Sequence, residues 1–472
     1  MNFSKLIESN AVVKIVSDIA IENQVKTYIV GGYVRDIILG KQSKDIDFVI
    51  DGDGIDFAQK VVKKLIPMPS ISVFKNFETA HFIYKETEYE FVSARKESYL
   101  PHSRNPEVRR ATIEEDQKRR DFTMNALSIS LNQEDYGVLH DPFGGVEHIQ
   151  KGIIKTPVEP GVTFFDDPLR MLRAVRFASQ LHFSITDDCF RAIKEQKNRI
   201  SIITSERISE EINKILMTST PSVGLHLMEK SGLMEIILPE LSAMKGVDKI
   251  ERYAHKDVFN HTLEVLDNIS KKTDNLWLRW AALLHDVGKP RTKKFVQNQG
   301  WTFHSHEIVG SRIVRQIFKR LKLPLNDKLD YVQKIVGLHL RPIALVEDDV
   351  TDSAIRRLLF DAGNDIDDLM LLCEADITSK NEQKIVTYLK NFVRVREKMV
   401  EVEEKDKLRN WQPPISGEMI METFDILPSK EVGIIKNAIR EAILDGVIAN
   451  NFDEAFEFMI TFAKKIQLEK KT

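Results

Sequence analysis

Asp45 and Asp47 stand two residues apart in a run whose neighbours, Ile46 and Phe48, are apolar. In a β-strand that spacing sends both carboxylates to one face and both apolar side chains to the other. Two oxygen ligands then converge on one spot. Such a spot suits Mg²⁺, which favours a few carboxylates together with substrate phosphates and water, and a pair of such ions can activate an attacking hydroxyl and stabilise a leaving pyrophosphate. Gly31 and Gly32 precede the aspartates. Without side chains they let the backbone approach a triphosphate, and the following YVRDIILG reads as a helix whose N-terminus favours anions, with Arg35 adding charge on the same side. An ordinary turn and an edge strand with solvated aspartates is the structural alternative. Either feature alone would carry little weight, and it is their joint occurrence that points to chemistry.

Three further sets have usable spacing. In RRDFTMNALSI, Arg119 and Arg120 carry donors for charge-assisted bonds to triphosphate oxygens, and Asp121 carries an acceptor for a ribose hydroxyl. Asp121 also stands where a helix N-cap would. In EYEFVSARKESY, Glu90 is a candidate third carboxylate on an adjacent strand, and Glu88 competes for that place. Asp167, Arg170, Arg173 and Arg176 recur every three residues, so in a predicted helix successive members are neighbours. Asp167 and Arg170 would set acceptors beside donors in a way that can match the Watson–Crick edge of cytosine or adenine, while an ion-paired helix face is the plainer reading. Lastly, His261, His285, Asp286, His306, His339 and Asp376 offer imidazoles and carboxylates in quantity. These suit transition metals or Mg²⁺, and the adjacent His285–Asp286 pair places a bridging acid beside a ligand. Any one of these histidines alone would read as structural; the ordered set reads as a metal centre.

The elements that must hold these residues follow from hydrophobic period. Residues 1 to about 150 mix strand alternation, as in DIDFVI and HFIYKETEYEFVSA, with helical stretches, which predicts an α+β unit. From about Thr163 the period is helical, apart from a hairpin expected near KFVQNQGWTFHSH. Between Arg95 and Lys118 runs a charged connection with no core signature, expected to be mobile. The segment after about Lys405 has no catalytic motif; its terminal Lys464, Lys465, Lys470 and Lys471 fit either nucleic-acid phosphates or a solvated helix. At 472 residues, 42% hydrophobic and 29% charged, the chain has the composition of a soluble globular protein of several domains. The formal charge of -3 excludes coating of nucleic acid through bulk charge. Two cysteines, Cys189 and Cys373, are too few for a disulfide framework or a thiolate zinc site, and a reducing cytoplasm fits. The N-terminus mixes charged and apolar residues, and no apolar run is long enough to span a bilayer, so neither secretion nor membrane insertion is expected.

The stretch GGYVRDIILGKQSKDID resembles the signature of the tRNA nucleotidyltransferase and poly(A) polymerase family, a branch of the DNA polymerase beta superfamily. RRDFTMNALSI, DPFGG, DDPLRMLRAVRFA and ERISEEINKIL follow in that family's order, and the histidine set resembles HD-domain metal-dependent phosphohydrolases. The resemblance is to the bacterial class II CCA-adding enzymes with a C-terminal HD domain. It implies a polymerase-beta-like nucleotidyltransferase head in residues 1–150, a base-selecting all-helical neck in 151–240, an HD body in 241–400 and a helical tail in 401–472. It further implies template-free transfer of CMP and AMP from CTP and ATP to the tRNA 3' end. In that scheme Mg²⁺ sits on Asp45 and Asp47 with Glu90 nearby, and the nucleotide meets Gly31, Gly32, Arg35, Arg119, Arg120, Asp121, Asp167, Arg170, Arg173 and Arg176. A second divalent metal belongs to the HD site, where related enzymes act on 2',3'-cyclic phosphates, 2'-nucleotides or phosphate monoesters. The family usually has Glu where Asp166 stands. In that family the loop corresponding to Arg95–Lys118 is associated with adding the terminal A, which favours full CCA addition. Poly(A) addition, partial CC or A addition, an HD phosphohydrolase with an RNA-binding head, and a noncatalytic RNA-binding module are the competing readings.

Overall fold

The computed structural model describes residues 1–75, 78–98, 107–246, 249–250, 253–254, 257–347, 351–378, 381–406 and 411–468. The chain divides into two compact units, Met1–Pro239 and Glu240–Thr472. In the first, the alternating stretches become β1 (Thr27–Val30), β2 (Asp45–Ile50), β3 (Ile71–Phe74), β4 (Thr79–Tyr84), β5 (Thr87–Ser93), β8 (Ser128–Ser130) and β9 (Leu139–His140). They form one sheet in the order β3-β4-β5-β2-β1-β8-β9. β2 lies at its centre, antiparallel to β1 and parallel to β5, with Asp45 opposite Glu88 and Asp47 opposite Glu90.

The two faces of this sheet have different fates. Ile46 and Phe48 point into a dry layer where the Phe48 and Phe91 rings stack at 4.8 Å. Phe57 of α3 (Gly54–Lys63) covers that layer, and α3 packs in turn on α1 (Ala11–Glu22). A buried side chain of this size contributes about 1.5–3 kcal/mol. On the other face, Val49 packs with Tyr28, Val30, Ala94 and Ile113. That cluster seals one end of the face and leaves the carboxylate end open, while α2 (Gly32–Ile38) rises directly from β1 beside it. The charged connection expected to be mobile contains a hairpin of β6 (Arg95–Ser98) and β7 (Glu107–Arg110), followed by α4 (Ile113–Lys118). A capping box of Thr112 and Glu115 starts α4, a local signal that the absence of a core pattern concealed. Residues 99–106 of that connection lie outside those described.

The rest of the first unit is helical apart from a short parallel pair, Ile153–Ile154 with Ser184–Ile185, which the expected all-helical neck did not include; α5 (Pro160–Asp166), α6 (Leu169–Leu181) and α7 (Ser205–Leu216) carry the neck residues. Here one expectation is corrected. Asp167 is not in a helix with Arg170, Arg173 and Arg176, but sits extended at φ -134, ψ 102 between α5 and α6. Its successor is Pro168, and a residue before proline is driven out of the helical region by the proline ring. The helix therefore starts at Leu169, two residues later.

The second unit is built from α8 (Val258–Ser270), α9 (Leu276–Leu284), α10 (His306–Arg320), α11 (Asp327–Leu338), α12 (Leu340–Glu347), α13 (Asp352–Ala362), α14 (Ile366–Ala375) and α15 (Glu382–Asp406). The expected hairpin pairs Lys294–Val296 with Gly300–Thr302. Three last helices, α16 (Gly417–Phe424), α17 (Lys430–Leu444) and α18 (Phe452–Lys465), share a small core of Ile420, Phe424, Ile435, Ile439 and Met459. Among the described residues no helix is long and apolar enough to cross a membrane.

Candidate active site and metal centre

The open end of the sheet faces a cavity of about 420 Å³. Asp45, Asp47, Glu88 and Glu90 form one side of it. Burial, then the neighbouring Glu90, Asp45 and Glu88 charges, push the Asp47 carboxyl up to about 6 against the pull of Arg120. Asp47 thus sits with three more acids at a site short of positive charge, and this donor set fits divalent cations. Glu90 faces Asp47 across the strands and is the strongest of the charges raising it. Glu88 faces Asp45 and lies 3.3 Å from the His81 imidazole.

Gly31 forms the opposite lip at φ +75, where a Cβ would come within 3.2 Å of both Arg120 Nη1 and Asp47 Oδ2. Backbone approach at this point depends on the missing side chain. Arg120 lines the cavity, and Arg119 does not. Both are gripped by Asp116, a fully buried carboxylate three and four residues earlier whose oxygens accept from the Nε and Nη2 edges of the two guanidiniums. Burial would raise Asp116, but Arg120 and Arg119 outweigh it and hold it below its usual range.

Asp121 also lines the cavity, and its oxygens already have partners. Oδ1 accepts from the Phe122 N–H and the Asn125 amide, and Oδ2 accepts from Arg173 Nε at 2.8 Å. Arg35, expected to add charge here, is buried and donates to Asn125 Oδ1 and Asp36 Oδ1, both at 2.9 Å. From α6, Arg173, Arg176 and Phe177 reach the cavity wall. Arg176 stacks 4.0 Å from the Phe177 ring centre and donates to Glu211 of α7 at 2.6 Å. Asp167 and Arg170 do not line the cavity. Asp167 Oδ1 accepts the Leu169 N–H at 3.1 Å and Oδ2 accepts from Arg207 at 3.0 Å; Arg170 is buried and aims at the Thr163 carbonyl. The every-third-residue series is thus divided, its last two members at the cavity and its first two behind it. Sequence reasoning missed Asp116, Asn125, Phe177 and Glu211. Helical spacing from Asp116 to the arginine pair was a usable signal; nothing local ties Glu211 to Arg176.

In the second unit, all six expected residues meet. His261, His285 and Asp286 form one ligand-like triplet, and Asp286, His306 and His339 form another, so Asp286 is common to both. Asp376 lies 2.8 Å from His261 Nε2 and 3.7 Å from His285 Nε2. Each of His285, His306 and His339 donates Nδ1–H to the carbonyl three residues earlier, at Ala282, Phe303 and Val336. That bond turns the Nε2 lone pairs inward, as metal-ligating histidines require. His306 and His339 consequently bring Nε2 to Nε2 at 3.3 Å, and buried His285 Nε2 and Asp286 Oδ1 have no hydrogen-bond partner. Converging ring nitrogens and two buried ligand atoms without hydrogen-bond partners fit a divalent cation. The local field is accordingly split. Burial lowers His285 but the Asp286 carboxylate overrides it, to about 9, whereas burial and the His285 charge bring His339 down to about 4. Lys289 completes the centre, 2.6 Å from Asp286 Oδ2.

A polymerase-type fold of the sheet, its carboxylates and a histidine-rich helical centre define a nucleotidyltransferase joined to an HD domain, and comparison with known proteins agrees. Residues 27–155 match the poly(A) polymerase head domain, 182–245 the "Probable RNA and SrmB- binding site of polymerase A", and 258–380 the HD domain. The multifunctional CCA protein of Neisseria meningitidis is 32% identical over 308 residues, 63% of this chain and 69% of that protein. The A-adding tRNA nucleotidyltransferase of Aquifex aeolicus is 31% identical over 66% of this chain, a match that spans only 36% of that longer protein. The Bacillus stearothermophilus CCA-adding enzyme, solved with CTP, shares the fold over 97% of this chain and 99% of its own at a TM-score of 0.67 and 22% identity. The chain belongs to the family of CCA-adding tRNA nucleotidyltransferases and poly(A) polymerases, with an HD domain following. Dependence on divalent metal goes with that membership.

Proposed function

We infer that the protein builds or repairs the 3' CCA end of tRNA, transferring CMP and AMP from CTP and ATP and releasing pyrophosphate in the cytoplasm. The observation that carries this reading is the register of β2 and β5, which sets Asp45 and Asp47 beside Glu88 and Glu90 at a cavity lipped by Gly31 and Arg120. Asp45 and Asp47, with Glu90 beside them, would hold Mg²⁺. Bound there, the metal supplies positive charge for the α-phosphate and for the pyrophosphate as it leaves. The tRNA 3' oxygen forms the new bond to the α-phosphorus, the bond to the β-phosphate bridging oxygen breaks, and the hydroxyl proton passes to solvent or a carboxylate. Arg120, aimed by Asp116, holds triphosphate oxygens with Arg119 as its brace, and the Gly31–Gly32 backbone admits them closely. Arg173 and Arg176 extend the positive wall, Asp121 and Arg35 fix it in place, and Asp167 with Arg170 selects the base. Residues 1–150 serve as the head, 151–240 as the neck, 241–400 as the HD body and 401–472 as the tail. The HD centre, on His261, His285, Asp286, His306, His339 and Asp376, carries a separate phosphohydrolase activity toward phosphate esters.

Addition of the terminal A alone is the second reading, favoured by the name of the Aquifex relative. The two are separated by incubating the protein with tRNAs ending at the discriminator base, at C and at CC, then sequencing the 3' ends. Full CCA on all three supports the first reading, and extension of the CC substrate only supports the second. Asp45→Ala and Asp47→Ala should each lower incorporation at least a thousandfold with tRNA binding retained. Near-parental incorporation by both variants would remove the carboxylate site from the reaction.

A further inference from the structure

We propose that Phe74, His81 and Ile83, on the two outer strands of the carboxylate face, form a stacking platform for the unpaired 3' end of the tRNA whose terminal hydroxyl attacks. The proposal rests on the nucleotidyl-transfer reading and gives the second substrate its path. Residues paired across neighbouring strands share a sheet face. Asp47 pairs with Glu90, Glu90 with His81 and His81 with Ser72, while Asp45 pairs with Glu88 and Glu88 with Ile83. Phe74, two residues beyond Ser72, is on that face as well. The opposite side of β4 is core: Ala80 and Phe82 are buried, and the Phe82 ring centre lies 5.7 Å from that of Phe91. A sheet dry on one side and wet on the other calls for polar residues outward, and Ser72 conforms. Phe74 and Ile83 do not, at 49% and 61% exposed. The Phe74 ring lies nearly parallel to the His81 imidazole, with 5.6 Å between centres and 12° between planes. His81 is in turn steadied by Glu88. Isolated exposed apolar residues are ordinary; an ordered ring pair leading to the carboxylates is not.

The direction of the reaction identifies the occupant. In an in-line displacement the attacking oxygen and the leaving pyrophosphate lie on opposite sides of the α-phosphorus. Gly31, Arg120 and the start of α2, which take the triphosphate, lie on the β1 side of the aspartates. The attacking oxygen therefore comes from the β5 side, where β4 and β3 follow. β4 is two strand spacings, about 10 Å, from β2. The nucleotides behind the attacking one then cross β4 and β3, over Ile83, His81 and Phe74. Bases of unpaired RNA are held by stacking on aromatic side chains, without regard to which base it is. Such a surface suits an enzyme whose primer ends in a different nucleotide after each addition. Lys75, exposed beside Phe74, supplies a cation for the phosphates.

The test compares binding of two tRNAs to the full-length protein, one ending in CC and one trimmed back to the last base pair of the acceptor stem. Phe74→Ala should weaken binding of the CC tRNA about fivefold or more, the loss of one base stack. Its affinities for the trimmed tRNA and for CTP should match the parent, as should its thermal melt, because the position is half exposed. Phe74→Trp should restore binding, and its added indole fluorescence should be quenched by the CC tRNA and not by the trimmed one. Parental affinity of Phe74→Ala for the CC tRNA, an equal loss for both tRNAs, or equal quenching by both would overturn the platform. In each of those cases a parent that still extends the CC tRNA leaves the nucleotidyl-transfer reading intact. A parent that extends no tRNA removes that reading and the platform with it.

Discussion

Two buried aspartates of the same cavity, Asp47 and Asp121, are shifted in opposite directions, because their neighbours differ. Around Asp47 the nearest charges are mostly acids, and the carboxyl rises to about 6. Around Asp121 burial also works to raise it, but the Arg173 guanidinium, the Asn125 amide and Arg170 outweigh burial and hold it at about 2. One residue waits for a cation and the other already has one. The consequence for stability has a definite sign. A carboxyl whose folded value lies below its unfolded value stabilises the fold at pH above the unfolded value, and that contribution is lost as pH falls through the folded one. Asp121→Asn should therefore cost about 2 kcal/mol at pH 7, and its deficit relative to the parent should shrink between about pH 4 and pH 2. Urea midpoints of both proteins across that range would measure it. A deficit independent of pH would mean that the carboxylate charge does not hold Arg173.

At the scale of the element, what was readable in the sequence is what is local. Period-two alternation is a property of neighbours, so the convergence of Asp45 and Asp47 could be read from DIDF, and the register of β2 on β5 sets both Glu88 and Glu90 at the cavity rather than choosing between them. The partners of the arginines were not readable, since Asp121 is 52 residues from Arg173 and Glu211 is 35 from Arg176. Only packing of α6 against α7 and the Asp121 segment brings those charges together. The three-residue charge period places Asp167 in the helix, but Pro168 ends that period on its N-terminal side, and α6 starts at Leu169. This displacement bears on base selection. Asp167 and Arg170 are neighbours by virtue of a bend at a helix start, with Asp167 accepting the Leu169 N–H, and not as one face of a continuous helix. If they read the base, Asp167→Ala and Arg170→Ala should lower selectivity for CTP and ATP over UTP and GTP about tenfold to a hundredfold, as loss of one or two base contacts would. Single-turnover incorporation of each nucleotide checks this. Equal losses for all four nucleotides, with about 1 kcal/mol of lost stability, would assign Asp167 to securing the helix start instead.

Over the whole molecule, two metal-fitting centres occupy two separately compact units, Met1–Pro239 and Glu240–Thr472. They are built on different chemistry. The first is an array of carboxylates on a sheet, suited to a hard cation shared with a triphosphate; the second is a buried cage of four imidazoles and two carboxylates, suited to softer divalent metals as well. No side chain belongs to both. That independence was legible because the six residues of the second centre, each unremarkable alone, form an ordered set well apart from Asp45 and Asp47 in the sequence; they converge through α8, α10 and the ends of α9, α11 and α14. It also makes the two activities separable by mutation. Replacing His285 and Asp286 together by Ala removes the acid common to both ligand triplets and one imidazole beside it, so bound transition metal should fall below about a tenth of the parental content and hydrolysis of phosphate esters should disappear with it. CMP and AMP incorporation should stay within about twofold, because Asp45, Asp47 and Arg120 are untouched. Elemental analysis of the purified variant, run beside the incorporation assay on the same preparation, decides the matter: undiminished metal would dissolve the assigned centre, and a tenfold loss of incorporation in a variant with a parental melting profile would show that the two halves are coupled through the chemistry of the HD site.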